Sequence, residues 1–279
     1  MEYVTLNNGV KMPMLGYGVF QIPEEETKRC VLDAISCGYR LLDTAQAYAN
    51  ESAVGDAIKE SGIAREEFFL TTKVWISNAG YEKAKASIEE SLNKLKTDYI
   101  DLMLINQPFG DYYGTYRAME DALKEGKLRA IGVSNFYPDR FIDLAAFSKI
   151  KPTVNQVETH VFWQQETARK YLAEYGTQIE SWGPFAEGKN DLFRHPLLTE
   201  IGKKYGKSAG QTALRFLIQI GTVVIPKSTH IERMKENFDV FDFALSDEDI
   251  SRIRELDGGK SIFIDHQDPE TAKWFTSMG

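Results

Sequence analysis

Short apolar runs, each closed by one polar or aromatic residue, recur along the chain: LLD, FFLTTK, YIDLMLIN, LRAIGVS, PTVNQ, TQIESW and TVVIPK. Their length and apolar content predict buried strands. Between them apolar residues recur at helical spacing, predicting helices over 24–37, 51–61, 81–96, 113–125 and 138–147. The first opens with Glu24, Glu25 and Glu26, places Val31 and Ile35 one turn apart, and stops at Gly38. The third is the clearest, with Ile88, Leu92 and Leu95 on one face. A helix is also predicted from about Thr229, and another over 247–256 after the capping signal Ser246-Asp247-Glu248-Asp249. Asn7-Asn8-Gly9 turns a leading hairpin, and the first strand of the main sheet follows over 15–20.

Strand and helix alternating at roughly 30 residues per unit is the pattern of parallel βαβ crossovers. Eight such units close a barrel. The predicted class is α/β, a (β/α)8 TIM barrel with an N-terminal hairpin on its floor and a C-terminal helix and tail, in one domain over 1–279. The residues that close the runs are Asp43, Lys73, Asn106, Ser134, Gln156, Trp182 and Lys227, at the carboxyl ends where such barrels keep their active sites. Between Trp182 and Lys227 the spacing lengthens to 45 residues, and GPFAEGKNDLFRHP within it predicts a long functional loop. The final SIFIDHQDPETAKWFTSMG is predicted irregular but apolar enough to pack.

Composition narrows the function. A net charge of −8 without a run of Lys and Arg offers no footprint for nucleic acid or an anionic membrane, and the pI is near 5.2. MEYVTLNNG has neither the basic region nor the apolar core of a signal peptide, so a cytoplasmic chain is expected, acting as a monomer or weak homo-oligomer. Cys30 and Cys37, seven apart on one predicted helix, would lie about 10 Å apart, beyond disulfide reach. The four histidines, His160, His195, His230 and His266, are expected on the surface or in loops, and their spacing suggests no metal site.

The chemistry gathers at the two ends of this ladder. Tyr48 follows Asp43 in DTAQAYANE, and Lys73 closes the next strand. An ammonium beside a phenol is expected to lower its pKa from about 10, and a carboxylate holds that ammonium charged. The trio is then a tunable proton donor. A structural ion pair beside a packed tyrosine is the plainer reading, and a Schiff-base role for Lys73 is a third. At the other end, Lys227 and Ser228 precede a helix with Arg233 on its first turns, which suits a phosphate. Ser134, Asn135 and Gln156 suit a carboxamide, and Trp182 offers a flat face for a ring.

MPMLGYGVF, LLDTAQAYANESAVG, TTKVW, GKLRAIGVSNF, VNQVE, SWGPF and IPKSTHIERMKEN together resemble the aldo-keto reductases along nearly the whole chain. QPFGDYYG, GPFAEGKN and FDFALSDED resemble the bacterial branch near the diketogluconate and methylglyoxal reductases. The resemblance implies a barrel that uses NADPH/NADP+ to reduce aldehydes and ketones to alcohols. It implies Tyr48 as general acid tuned by Asp43 and Lys73, and Ser134, Asn135, Gln156, Trp182 and Gly183 around the nicotinamide. Lys227, Ser228 and Arg233 would take the adenosine phosphate and Asn237 the adenine.

In one place the chain departs from that pattern. Where the family's motif has a catalytic histidine, this sequence reads Leu104-Ile105-Asn106-Gln107-Pro108. An amide donates but does not titrate, so turnover is expected to be slowed or redirected. Phe20, Trp75, Phe109, Tyr112, Tyr113, Trp274 and Phe275 are the candidate pocket wall, with small dicarbonyls and aromatic or aliphatic aldehydes as expected substrates. The alternative function is an NADP(H)-binding protein whose redox state reports to a partner with negligible turnover.

Overall fold

The computed structural model describes residues 1–279. A hairpin of β1 (Tyr3–Thr5) and β2 (Lys11–Pro13) precedes eight parallel strands in sequence order. These are β3 (Gly16–Gly18), β4 (Leu41–Asp43), β5 (Phe69–Val74), β6 (Ile100–Ile105), β7 (Leu128–Ser134), β8 (Val154–Glu158), β9 (Gln178–Trp182) and β10 (Val223–Val224). A parallel bridge from Leu15 to Val224 and the bond from Gly18 N to Pro226 O (3.3 Å) close the sheet into the barrel. Each position of β5 and β6 is buried, because the helices cover one face of the sheet and the barrel interior fills the other. Gly132 is needed in β7: a Cβ there would lie 2.4 Å from Val154 O and 2.9 Å from Leu104 Cδ2.

The covering helices are α1 (Glu24–Ser36), α2 (Glu51–Glu60), α3 (Tyr81–Leu95), α4 (Tyr112–Lys124), α5 (Pro138–Phe147), α6 (Glu166–Glu174), α7 (Pro196–Tyr205), α8 (Ala209–Gln219), α9 (Ile231–Phe238) and α10 (Asp247–Arg254). Helices α6 to α8 go beyond those that the periodicity predicts. The hairpin lies on the floor as expected, with Asn7 Nδ2 donating to Pro152 O (3.1 Å) and Asn8 Nδ2 to Arg129 O (3.0 Å). No helix is long and apolar enough to cross a membrane.

The tail corrects an expectation. It holds α11 (Pro269–Thr276), capped by the Asp268 side chain and opened by Pro269. An eight-residue helix is marginal alone. Packing of Phe275 with Ile76 and Phe109 supplies the tertiary support. Both cysteines are free thiols, Cys30 buried and Cys37 partly so.

Candidate active site

Register decides which side chains meet. Asp43 pairs with Thr71, Lys73 with Leu104, Leu104 with Gly132, Ser134 with Gln156, and Gln156 with Glu180. Partners across a parallel ladder share a face, as do residues two apart, so Asp43, Lys73, Asn106, Ser134, Gln156, Glu180 and Trp182 all belong to the inward set. Lys73 is wholly buried. Its Nζ donates to Asp43 Oδ1 (2.6 Å), Thr44 O (2.9 Å) and the Tyr48 hydroxyl (3.4 Å). Burial works against its charge, but Asp43 and Tyr48 outweigh it and hold the ammonium above its ordinary pKa.

Tyr48 ends a short 3₁₀ turn (Gln46–Tyr48) after β4. Gln46 anchors that turn: its amide donates to Ser87 O and Ser91 Oγ and accepts from Trp75 N (3.0 Å) and Asn78 Nδ2 (2.9 Å). The expected lowering of the Tyr48 pKa is reversed. Burial of the phenol raises it, Lys73 lowers it, and Asp43 raises it again by cancelling part of the lysine's charge. The phenol therefore stays protonated at neutral pH, as a proton donor must.

The amides around this trio are already ordered. Gln156 Nε2 donates to Asp43 Oδ2 (2.8 Å) and Glu180 Oε2 (2.9 Å), and Ser134 Oγ donates to Gln156 O (2.8 Å). Asn135, in the left-handed region at φ 63°, donates from Nδ2 to Asn106 O (3.0 Å) and accepts from Trp182 Nε1 (2.8 Å). Gly183 follows Trp182 at φ +63°. Glu180 escapes the reading of run-closing residues, although it lies two before Trp182 in TQIESW and so shares its face. It is wholly buried, and burial together with the Asp43 carboxylate pushes its pKa up to about 8. Its Oε1 has no partner.

Lys227 and Ser228 lie between β10 and α9. Tyr17 donates from its hydroxyl to Ser228 O (2.5 Å), and Ser228 Oγ accepts from His230 N (3.1 Å). Helix α9 starts at Ile231, slightly later than predicted, and presents Arg233 on its first turn. Lys227 and Arg233 are exposed and have no carboxylate partner, whereas Lys235 on the same helix pairs with Glu232 (3.0 Å). Asn237 is buried one turn beyond Arg233. Two unpaired cations at a helix N-terminus fit an anionic phosphate.

The candidate wall separates into a rim and a support. Phe20 and Trp274 are exposed, with the Phe20 ring 5.0 Å from that of Tyr48, and Trp75 lies 6.4 Å from Phe275. Phe109 is buried between Phe275 (5.3 Å) and the Arg140 guanidinium (4.8 Å), so it supports the wall from behind. Tyr112 and Tyr113 serve packing: Tyr112 meets Phe136 edge-on at 5.3 Å, and the Tyr113 hydroxyl bonds Asp143 on α5.

Two histidines lie in loops, within the expectation, but are buried rather than on the surface. His160 is wholly buried with Nε2 3.0 Å from Glu158 Oε1. His266 is buried in the tail, stacked on Phe109 (6.3 Å) and Phe275 (5.6 Å), with Nε2 2.9 Å from Gln107 Oε1. Burial lowers its pKa to about 4, so it is neutral. Glu158 also accepts from Ser261 Oγ (2.6 Å) and Ile262 N (2.9 Å), fixing the start of the tail over the barrel mouth.

Comparison with known proteins gives the family. The profile of the Aldo/keto reductase family matches residues 12–258. Glyoxal reductase of Bacillus subtilis is 47% identical over 263 residues, covering 94% of this chain and 95% of the relative. The crystal structure of MGS-M4, an aldo-keto reductase from a Medee basin deep-sea metagenome library, superposes with a TM-score of 0.93 at 44% identity, covering 95% of this chain and 98% of that one. The Bombyx mori aldo-keto reductase in complex with NADP superposes at 0.89 with 34% identity, covering 95% of each chain. A barrel with this lysine–tyrosine–carboxylate trio, matched along nearly its whole length, belongs to the aldo/keto reductase family.

Proposed function

We propose that this chain reduces aldehydes and ketones to alcohols with NADPH, small dicarbonyls foremost, and that Tyr48 donates the proton. The contact chain from Asp43 through Lys73 to the Tyr48 hydroxyl, at 2.6 and 3.4 Å, is the observation that supports this most. When the phenol's proton passes to a carbonyl oxygen, the phenolate left behind lies beside an ammonium held by Asp43 and Thr44 O. That fully bonded, charged lysine disfavours a Schiff-base role. Bound NADPH supplies the hydride.

The donor set fits that cofactor. Gln156 has its amide nitrogen committed to Asp43 and Glu180, which leaves its oxygen for a carboxamide donor. Ser134 and Asn135 stand beside it, and Trp182 presents a ring fixed through its Nε1, with Gly183 next in the chain. Lys227, Ser228 and Arg233 would hold the adenosine phosphate and Asn237 the adenine. A relative named glyoxal reductase supports a small dicarbonyl as substrate. The test is loss of NADPH absorbance across a panel of glyoxal, methylglyoxal and benzaldehyde, with alcohol formed in equal amount. Tight NADPH binding without turnover of any of them would favour the redox-reporting alternative.

A further inference from the structure

Glu180 is a second carboxyl group in the barrel interior, and its one hydrogen bond comes from a neutral amide. It is wholly buried on β9, level with Gln156 on β8 and Val223 on β10. Its Oε2 accepts from Gln156 Nε2 (2.9 Å), and the same nitrogen donates to Asp43 Oδ2 (2.8 Å). Two carboxyl groups thus hang on one amide nitrogen, which has one hydrogen for each. The ammonium of this row, Lys73, is bonded to Asp43 Oδ1, Thr44 O and the Tyr48 hydroxyl. As an anion, Glu180 would be an unpaired buried charge facing another carboxylate, and both features are costly. As an acid it accepts through Oε2 and carries its proton on Oε1, the oxygen that no group bonds. An unpaired hydroxyl costs far less to bury than an unpaired charge. Burial and the Asp43 carboxylate act in the same direction on its pKa, raising it to about 8.

We propose that Glu180 is a positioning residue for the proton transfer: as a neutral acid it fixes the Gln156 amide and leaves Asp43 the single negative charge opposite Lys73. In the reduction, Tyr48 passes its proton to the carbonyl oxygen, the hydride comes from NADPH, and Glu180 keeps its own proton throughout. The phenolate that forms depends on an ammonium already shared with Asp43. A charged Glu180 would add a second anion to the row and raise the Tyr48 pKa further, so the phenol would give up its proton less readily. The titratable groups facing Glu180 are Asp43 from β4, Lys73 from β5 and Tyr48 from the turn after β4. Its neighbours on β8 and β10, Gln156 and Val223, carry no charge.

This inference rests on the carbonyl-reducing reading, so one arm of its test needs no turnover. Infrared difference spectra of the parent between pH 6.5 and pH 9.5 should show the C=O stretch of a neutral carboxylic acid lost as a carboxylate appears. Glu180→Gln should lack that pair of bands. The second arm follows kcat/KM for benzaldehyde at saturating NADPH. The parent should be about tenfold slower at pH 9 than at pH 6.5, because most of a group with a pKa of about 8 is then ionised. Tyr48 and Lys73, both held above their ordinary values, stay protonated over this range. Glu180→Gln has the shape of the neutral acid and cannot ionise, so its own rate should change by less than about twofold over the same interval. Glu180→Asp keeps an acid and should move the midpoints of band and rate together. Absence of a neutral-acid band in the parent, or an alkaline fall that is the same in parent and Glu180→Gln, overturns the proposal. A band that titrates as described in a protein that reduces no carbonyl would sustain the buried acid and refute the reductase reading.

Discussion

The two ends of β6 handle buried polarity in opposite ways. At its foot Asp101 is wholly buried, and both its oxygens are used: Arg65 Nη2 (2.8 Å) and Leu70 N (3.0 Å) bond Oδ2, and Arg129 Nη1 (2.5 Å) bonds Oδ1. Just past its top, the Asn106 side chain has no partner, and in the same interior Glu180 keeps an unbonded oxygen. A charge buried for stability is saturated by its neighbours, because each unmatched group costs folding free energy. A polar group kept for chemistry retains capacity that substrate or cofactor can fill. On this view, damage at the foot should unfold the protein and damage at the mouth should stop it working.

The sharpest separation comes from Tyr48→Phe. Loss of a general acid should reduce carbonyl turnover by about 100- to 10,000-fold while leaving NADPH affinity and unfolding free energy nearly unchanged. Steady-state kinetics with fluorescence titration decides it, and a variant that keeps most of its turnover removes Tyr48 from the role.

The converse is Asp101→Ala. It leaves two arginines without their carboxylate, and the expected loss is about 3 kcal/mol, the lower end for a broken buried pair because both arginines reach water. Denaturant titration measures it. A stable but inactive Asp101→Ala protein would erase the distinction between foot and mouth.

Arg233→Ala tests the unpaired cations. If the guanidinium grips the adenosine phosphate, NADPH affinity should drop by about 1.5–3 kcal/mol with NADH affinity little changed. Titration with both cofactors reads this. Equal weakening of the two would make Arg233 a support for α9.

The last test turns on pH and belongs to Glu180→Gln. The folded-state pKa of Glu180 is raised from an ordinary 4.5 to about 8, so the unfolded chain releases this proton first. Below pH 4.5 the group is neutral in both states and costs nothing. As pH climbs from there toward 8, the parent loses stability relative to the unfolded chain, and the isosteric glutamine does not. Thermal melts should therefore coincide at acid pH and diverge in favour of Glu180→Gln by pH 8.5. Melts that stay parallel would mean that folding leaves the Glu180 pKa unshifted.

Much of this was legible in the chain. Run-closing residues located seven inward or rim positions, because strand length and alternation are local properties that the sequence writes directly. One helix start was readable from its cap, at Ser246, whereas the capping box at Ser208 that opens α8 went unread. The Asp268-Pro269 start of α11 was written equally plainly, yet the helix depends on Phe275 meeting Ile76 and Phe109, a contact far along the chain.

What the sequence by itself determined was the barrel, the order of its strands and the residue types at their carboxyl ends, since period and spacing fix these without reference to distant partners. Tertiary structure alone decided the rest. The direction of the Tyr48 shift depends on how much burial outweighs an ammonium already shared with Asp43. The burial of His160 and His266 depends on where the tail lands, and Asn106 stands open only because neighbouring strands bond its backbone and leave its amide free. Solvation and pairing are set by atoms distant in sequence, and folding is what brings those atoms together.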